Sequence, residues 1–353
     1  MYTEERGGNE QQRSPPNEAA APAEFTGTCG STGNSLQTTL VMLAWLGVPP
    51  SIVVIVFASF IFLSFINAIM VIGLLFLLIC IPIDQNSKWG IRIARCICMQ
   101  ASGYFPMHLY VEDIRAFDPN RAYIFGYEPH SVWPVGIVML CALTGFMPLP
   151  KIKGLCSTAV FNTTVMRHIW TWLGMSAATK QNFKSLLSSG YSYIIVPGGT
   201  QETFYMDHGC ETLFLKSRKG FVRISMEMGT PLVPVFCFGQ SNVYKWWKPS
   251  SKLYLKFCRA IKFTPTLFWG YMGSFMPFQH PIHVVVGRPI EVEKNTQPTA
   301  EEVSIIILEP HNYHEIFLFF FFFLIFLIFF FLIFLIEFTL ELNGSLRHYT
   351  VSL

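Results

Sequence analysis

Tyr127-Glu128-Pro129-His130-Ser131 joins two runs of different periodicity. Ahead of it, Ala122-Tyr123-Ile124-Phe125-Gly126 has the character of a short buried strand, and behind it Val135 to Leu143 reads as a helix. Pro134 suits the first turn of that helix, where a missing N–H is harmless, and Gly145 suits its end. His130 is therefore expected at a strand-to-helix turn, on the carboxyl end of a strand, where open α/β sheets bind their ligands. An imidazole placed there can take a proton from a hydroxyl near neutral pH. Taken alone, a loop histidine that only satisfies its hydrogen bonds is the commoner case. Two further stretches shift the balance.

The second is Tyr193-Ile194-Ile195-Val196-Pro197-Gly198-Gly199-Thr200-Gln201-Glu202, again strand then turn. Paired glycines let the backbone approach a ligand and expose N–H groups. Glu202 follows the turn at the same sheet end as His130, far enough along the chain for a crossover between them. A carboxylate beside an imidazole fixes its tautomer and stabilises its protonated form. By itself, Pro-Gly-Gly is also an ordinary turn with a solvated glutamate after it.

The third is Lys216-Ser217-Arg218-Lys219-Gly220-Phe221-Val222-Arg223, leading through a helical run to Pro231-Leu232-Val233-Pro234-Val235-Phe236. Cations opening a helix suit phosphates, through charge and free N–H groups; a solvated basic face is the plainer account. Phe238-Gly239-Gln240-Ser241-Asn242 sets small polar groups at another strand end, and Trp246 and Trp247 beside Lys245 and Lys248 suit a membrane interface.

Composition narrows the class. Among 353 residues, 52% are hydrophobic, mean hydropathy is +0.41 and only 13% are charged, against about 25% charged in a typical domain. Such a chain spans a membrane or lies against one. A net charge of +3 with no long basic run argues against nucleic acid. The nine cysteines are odd in number with no C-x-x-C pair, so neither zinc nor a disulfide framework is indicated, and reduced thiols on the cytosolic side are expected.

Residues 1–39 are polar and read as a disordered tail. Residues 40–83 carry no charge over 44 positions, enough for one tilted span from Ile52 to Ile79 or for a hairpin entering and leaving on one face. Lys88, Arg92 and Arg95 follow it, whereas no Lys or Arg falls between 14 and 39, which places the downstream part in the cytosol. Residues 88–115 look amphipathic, suiting either the headgroup level or packing on the next domain. Residues 84–303 form the main domain. Strands are predicted at Ser192–Val196, Leu232–Phe236 and His283–Val286, and helices at Ser157–Leu173 and Lys180–Leu187. That alternation predicts an α/β fold with a mainly parallel sheet. In the tail, 304–353, the 21 residues Ile316 to Ile336 are only Phe, Leu and Ile, long enough to span but unlike an ordinary span. All three residues have codons with uridine at the second position, so the tract reads as translated non-coding sequence.

Together the three stretches resemble the type 2 diacylglycerol O-acyltransferase family, in its plant branch. The resemblance rests on Glu128-Pro-His-Ser131, where animal members carry His-Pro-His-Gly, and on Val196-Pro-Gly-Gly-Thr-Gln-Glu202 and Arg218-Lys-Gly-Phe-Val-Arg223. It continues through Pro231-Leu-Val-Pro-Val-Phe236 and Gly287-Arg-Pro-Ile290, covering about residues 40–303. It implies a glycerolipid-acyltransferase-like α/β domain behind a hydrophobic hairpin, in the endoplasmic reticulum membrane, with the domain facing the cytosol, and on lipid droplets. It implies acyl transfer from acyl-CoA to the free hydroxyl of diacylglycerol, giving triacylglycerol. Acyl-CoA is then a substrate, no separate cofactor or metal is expected, membrane lipid is the surrounding partner, and a homo-oligomer is left open.

By the same resemblance His130 and Glu202 are catalytic. Glu128, Pro129, Ser131, Gly198, Gly199, Thr200, Arg218 and Lys219 are assigned to substrate, the last two to the CoA phosphates. Relatives with Asn-His-x-x-x-x-Asp orient the histidine with the aspartate; Val135 stands there instead, leaving Glu202 as the substitute. A monoacylglycerol or long-chain alcohol acceptor, a non-catalytic droplet-coating hairpin protein and an inactive product of the atypical tail are the alternatives. A transporter is disfavoured, because the apolar segment carries no charge to mark an ion path.

Overall fold

The computed structural model describes residues 22–27, 35–207, 213, 215, 218–249, 251–261 and 264–308. Most of the predicted disordered tail, Lys216, Ser217 and the Ile316–Ile336 tract lie outside the described residues.

In chain order the strands are β1 (Ala23–Thr26), β2 (Met107–Val111), β3 (Ile124–Glu128), β4 (Ile152–Cys156), β5 (Met175–Ala177), β6 (Ser192–Ile195), β7 (Leu232–Phe238), β8 (Lys245–Trp247), β9 (Leu267–Trp269) and β10 (Ile282–Val286). The helices are α1 (Ser35–Met42), α2 (Val48–Phe62), α3 (Phe65–Cys80), α4 (Lys88–Tyr104), α5 (Met166–Trp172), α6 (Lys180–Ser188), α7 (Gly199–Tyr205), α8 (Gly220–Met228), α9 (Lys252–Ile261) and α10 (Ala300–Leu308). Eight strands form one sheet in the order β1-β2-β10-β7-β3-β6-β4-β5, and β8 and β9 form a separate ribbon. The run β7-β3-β6-β4-β5 is parallel throughout; β10 is antiparallel to β7 but parallel to β2. The fold is thus α/β with a mainly parallel sheet, as the alternation of runs predicts.

Strand alternation divides the core between the two faces. Phe125 and Tyr127 of β3 point into one cluster with Val235, Val284 and Ile97. Ile124 points into the other, with Leu186 and Leu187 of α6 and Val222, Ile224 and Met226 of α8. Period-two side chains make both faces of β3 apolar, which is what a strand buried on both sides requires.

Four sequence expectations need correction. Ala23–Thr26, expected to be disordered, adds an antiparallel edge strand to β2, with Phe25 packed on Phe146 at 5.6 Å between rings. Val135–Leu140 is a buried 3-10 segment rather than an α-helix over Val135–Leu143. Its Gly136 and β-branched Val135, Ile137 and Val138 are poor helix formers, and Gly136 is wedged against Tyr127 and Cys237. Ser157–Leu173 is a 3-10 turn (Thr158–Asn162) followed by α5, broken at Val165 with φ +41°. Finally, no continuous helix runs from Ile52 to Ile79: Leu63 is extended, and the Ser64 hydroxyl caps α3 by accepting the Asn67 N–H at 3.5 Å.

Among the described residues no single helix is long and apolar enough to cross a membrane. The two apolar helices nevertheless leave Phe57, Phe62, Phe65, Ile66 and Leu77 exposed. The far end of α3 is tied to the domain by α5, where the Arg167 guanidinium donates to the Ile79 carbonyl and Trp172 Nε1 donates to the Asp84 carbonyl at 2.9 Å. In α4, Ile97 and Ala101 are buried whereas Trp89 is 73% exposed, and Gly90 lets the Trp172 ring sit on the helix backbone.

Candidate active site

The carboxyl ends of β7, β3 and β6 are neighbours in the sheet, and each opens into a turn carrying polar residues. The turn after β3 has a cis Glu128–Pro129 peptide and places Ser131 at φ +56°, a left-handed conformation that non-glycine residues rarely adopt. Gln240, at the end of β7 and 1% exposed, anchors this turn. Its Oε1 accepts from Tyr127 Oη at 2.6 Å and its Nε2 donates to the Pro129 carbonyl at 2.5 Å. The Ser131 hydroxyl donates to Ser241 Oγ at 3.0 Å. Two strand ends are thereby laced together beneath His130.

The His130 ring nitrogen Nδ1 lies 2.9 Å from the Ser131 carbonyl and 3.1 Å from Thr203 Oγ1. A carbonyl only accepts, so the first contact places a proton on Nδ1 and leaves Nε2 as the basic nitrogen. The Glu202 carboxylate meets His130 elsewhere, with Oε1 accepting the backbone N–H. Glu202 and Thr203 are consecutive on α7, so this short helix grips His130 by main chain and by ring. Gly198 is needed beside them, since a methyl group on it would overlap the Glu202 carboxylate. Gly199 takes φ +52°, a conformation suited to glycine.

Glu128 and Glu202 are both fully buried. Burial first, and then the neighbouring Glu202 carboxyl, push the Glu128 pKa well above the usual carboxylate range. Neither Glu128 oxygen has a well-formed hydrogen bond, so the two carboxyls are coupled electrostatically without ideal geometry. Both causes favour the protonated form of Glu128.

His130 opens onto a cavity of about 660 Å³, lined among others by Trp133, Trp170, Met175, Arg218 and Phe268. A smaller apolar cavity of about 40 Å³ is lined by Trp133 and Trp170 together with Trp45 and Leu46. Trp170 stacks on Trp133 with ring centroids 6.1 Å apart and lies 6.5 Å from Trp45. Arg218 Nη2 donates to the Gly198 carbonyl at 3.2 Å. Burial, then the nearby Arg259, lower the Arg218 pKa, opposed by Glu202.

Of the residues expected at the site, His130, Gly198, Gly199 and Arg218 line the large cavity. Glu202 supports it from below. Glu128, Pro129 and Ser131 are held in the turn beneath it, bonded to or buried among protein groups. Lys219 turns to α10, where Nζ donates to Ser304 Oγ at 2.5 Å. Thr200 sits in the first turn of α7, and its side chain falls outside the described residues. Thr203, Trp133 and Trp170 emerge only from the structure. Thr203 adjoins a motif residue, but nothing in a linear motif says which of two adjacent helical side chains faces the ring. Among the described residues, no group of three His, Cys, Asp or Glu side chains is placed to hold a metal ion.

A family model described as diacylglycerol acyltransferase matches residues 59–321, running past residue 303, where the resemblance read from the motifs is expected to end. The diacylglycerol O-acyltransferase 2 of Dictyostelium discoideum is 30% identical over 232 residues, covering 61% of this chain and 68% of that one. The diacylglycerol O-acyltransferase 1 of Schizosaccharomyces pombe is 34% identical over 246 residues, covering 62% and 68%. The human 2-acylglycerol O-acyltransferase 3 is 31% identical over 258 residues, covering 66% and 71%. Among solved structures, the 1-acyl-sn-glycerophosphate acyltransferase of Thermotoga maritima aligns over 78% of this chain and 91% of that one. Its TM-score is 0.39 at 16% identity, too distant to bear on the site. The match across residues 59–321 makes the chain an acyltransferase and a member of the diacylglycerol acyltransferase family, alongside relatives named diacylglycerol O-acyltransferase 2.

Proposed function

We propose that this chain transfers the acyl group of acyl-CoA to the free hydroxyl of diacylglycerol, with His130 as general base. The observation that carries the reading is the His130 imidazole at the wall of a largely apolar cavity, its Nδ1 engaged and its Nε2 left basic. The acceptor hydroxyl gives its proton to Nε2 while its oxygen attacks the thioester carbonyl. The resulting tetrahedral oxyanion collapses, the thiolate of CoA leaves, and the imidazolium returns the proton to it. Because the hydroxyl attacks directly, no covalent enzyme intermediate forms. Backbone N–H groups of Gly198–Thr200 or of Ser131 are the donors available to the oxyanion. General-base help of this kind contributes about 10²–10⁴-fold. Arg218, at the cavity wall, is the cation offered to a CoA phosphate.

The apolar helices α2 and α3 are read as a hairpin in the endoplasmic reticulum membrane or the monolayer of a lipid droplet, with the sheet domain on the cytosolic side. Their exposed Phe, Ile and Leu side chains support that reading, as does the break at Leu63–Ser64. A monoacylglycerol acceptor is the second reading, favoured by the similarity to a protein named 2-acylglycerol O-acyltransferase.

Microsomes from yeast lacking their own neutral-lipid synthesis, given labelled acyl-CoA and either acceptor, test both. Triacylglycerol made by the full chain and lost in His130→Ala supports the reading. Activity surviving in His130→Ala would sink the general-base role, and product formed only from monoacylglycerol would transfer the acceptor assignment.

A further inference from the structure

Between β7 and β10 the chain leaves the sheet for an excursion, residues 239–281, that holds β8, α9 and β9. From Met228 to Ile290 there is no Asp or Glu, while Lys245, Lys248, Lys252, Lys256, Arg259 and Lys262 fall within 18 residues. This basic stretch is also apolar on its outside. On α9, Leu253 and Phe257 lie one turn apart and are 78% and 51% exposed, flanked by exposed Lys252, Lys256 and Arg259. The opposite side of the helix is anchored, with Cys258 fully buried.

The β8–β9 ribbon repeats the pattern. Its register pairs Trp247 with Leu267 and Lys245 with Trp269, and period two puts these four side chains on one face. That face is outward, with Trp247 and Leu267 both exposed. The inner face carries Phe268, edge-on to Trp133 at 6.2 Å and part of the cavity wall. Tyr271 and Met272 extend the outer apolar patch beyond β9.

Aromatic, aliphatic and basic side chains on one face, in a segment that contributes no carboxylate of its own and meets Asp207 only at Lys248 among the described residues, match a headgroup layer bearing anionic lipid. The rings and aliphatic chains reach the acyl boundary while Lys and Arg meet phosphates. A nucleic acid would use the cations but leave Leu253, Leu267 and Met272 without apolar contact. An ordinary protein interface core is depleted in lysine, whereas lysine recurs across this one.

We propose that the outer face of the β8–α9–β9 excursion docks on an anionic lipid surface, as a membrane contact separate from α2 and α3, and holds the wall of the His130 cavity at headgroup level. The excursion is joined to the site in two ways. Thr264, Thr266 and Phe268 line the cavity. Tyr254 of α9 packs on Phe204 of α7 at 6.1 Å between rings, next to the Thr203 that holds the histidine. Docking would thus bring the lipid phase to the cavity that takes the acceptor. This second half rests on the acyltransferase reading of that cavity; the docking itself does not.

The test uses the full chain in vesicles of phosphatidylcholine with or without phosphatidylserine, with an environment-sensitive fluorescent amino acid in place of Phe257. Docking predicts a blue shift and quenching by lipid-borne quenchers that grow with phosphatidylserine and fall in high salt. Each cation near such a surface is worth about a factor of five, so the pair Lys252→Glu and Lys256→Glu should weaken the signal at least 25-fold on that scale. The same pair should raise KM for diacylglycerol in anionic vesicles and leave kcat in neutral detergent micelles unchanged. A fluorophore that stays in water in both vesicles overturns the proposal. So does a signal that follows protein concentration and ignores lipid charge, since it assigns the face to a second copy. Insertion without any acyltransferase activity leaves the docking standing and defeats only the reading of the cavity.

Discussion

Glu202 holds His130 by its backbone N–H, not by its ring. The imidazole is engaged instead by the next residue on α7, Thr203, and by the Ser131 carbonyl. A carboxylate in this position fixes where the turn runs. A hydroxyl and a carbonyl then fix which ring nitrogen is basic. The division of labour differs from a triad, in which one carboxylate does both.

That difference can be measured on Glu202. If it set the tautomer of the ring, Glu202→Gln would lower kcat by about 10⁴, as the matching change does in a serine-protease triad. Here the amide oxygen of glutamine still accepts the His130 N–H, so activity should stay within about tenfold of wild type. Glu202→Ala leaves that N–H buried and unpaired, which costs about 1–3 kcal/mol of stability. Gly198→Ala should do at least as much harm as Glu202→Ala, because the new methyl group displaces the carboxylate itself. Steady-state rates and thermal unfolding of the three variants decide the matter; a 10⁴-fold loss in Glu202→Gln would restore the triad picture.

Thr203→Val removes the hydroxyl at nearly constant shape. One hydrogen bond of about 1–1.5 kcal/mol corresponds to a five- to tenfold fall in kcat with KM little changed. Thr203→Ser should restore the rate. Equal rates in Thr203→Val and wild type would show that the Ser131 carbonyl suffices to orient the ring.

Much of this site is legible in the linear chain, and the physical reason is local. The strands β3, β6, β7 and β10 are apolar runs stopped by glycine or proline, so period and punctuation alone locate them and the turns that follow. His130 and the paired glycines accordingly fall at adjacent strand ends, as read. What depends on side-chain direction is not legible. Lys219 and Arg218 are neighbours in one basic cluster, yet one turns to Ser304 and the other to the cavity. The four residues of β1 carry a single large apolar side chain, Phe25, too little pattern to separate a strand from a polar tail. The break at Val165 has no glycine or proline to mark it, and the 3-10 path of Val135–Leu140 combines poor helix formers with the close packing of Gly136 on Tyr127 and Cys237, which the linear chain does not show.

Glu128 offers a pH test whose sign follows from its burial. Its folded-state pKa is raised, so the native protein keeps the proton while the unfolded chain releases it near the ordinary value of 4.5. Above that value the native state binds more protons than the unfolded state, and stability falls as pH rises until Glu128 ionises in the native state. Glu128→Gln removes this dependence and keeps a neutral donor beside Glu202. The difference in Tm between Glu128→Gln and wild type should therefore be smallest near about pH 4 and grow in favour of the variant toward about pH 8. Activity at neutral pH should be retained in Glu128→Gln and reduced in Glu128→Ala. A variant that loses stability relative to wild type as pH rises would mean that Glu128 is ionised in the folded protein.

Trp170 lines both cavities, together with Trp133, Pro134, Ile137 and Met175, and is stacked on Trp133 and close to Trp45. Replacing it with leucine removes the indole and opens the large cavity toward Trp45 and Leu46, lengthening an apolar path. If the acyl chain lies there, its terminal methylenes meet Trp170 in the wild-type protein and fresh apolar volume in the variant. Discrimination of about one methylene in an apolar pocket corresponds to about 10–200-fold in kcat/KM. Trp170→Leu should therefore shift preference toward longer acyl-CoAs by at least the low end of that range, measured with a series of chain lengths in competition. The rate on shorter chains should fall, since they no longer fill the site. The variant also loses stacking and burial, about 1–3 kcal/mol for a half-buried ring, so its folded state needs checking by thermal unfolding before rates are compared. An unchanged chain-length profile in a folded, active Trp170→Leu protein would place the acyl chain outside this cavity and leave the space to the acceptor.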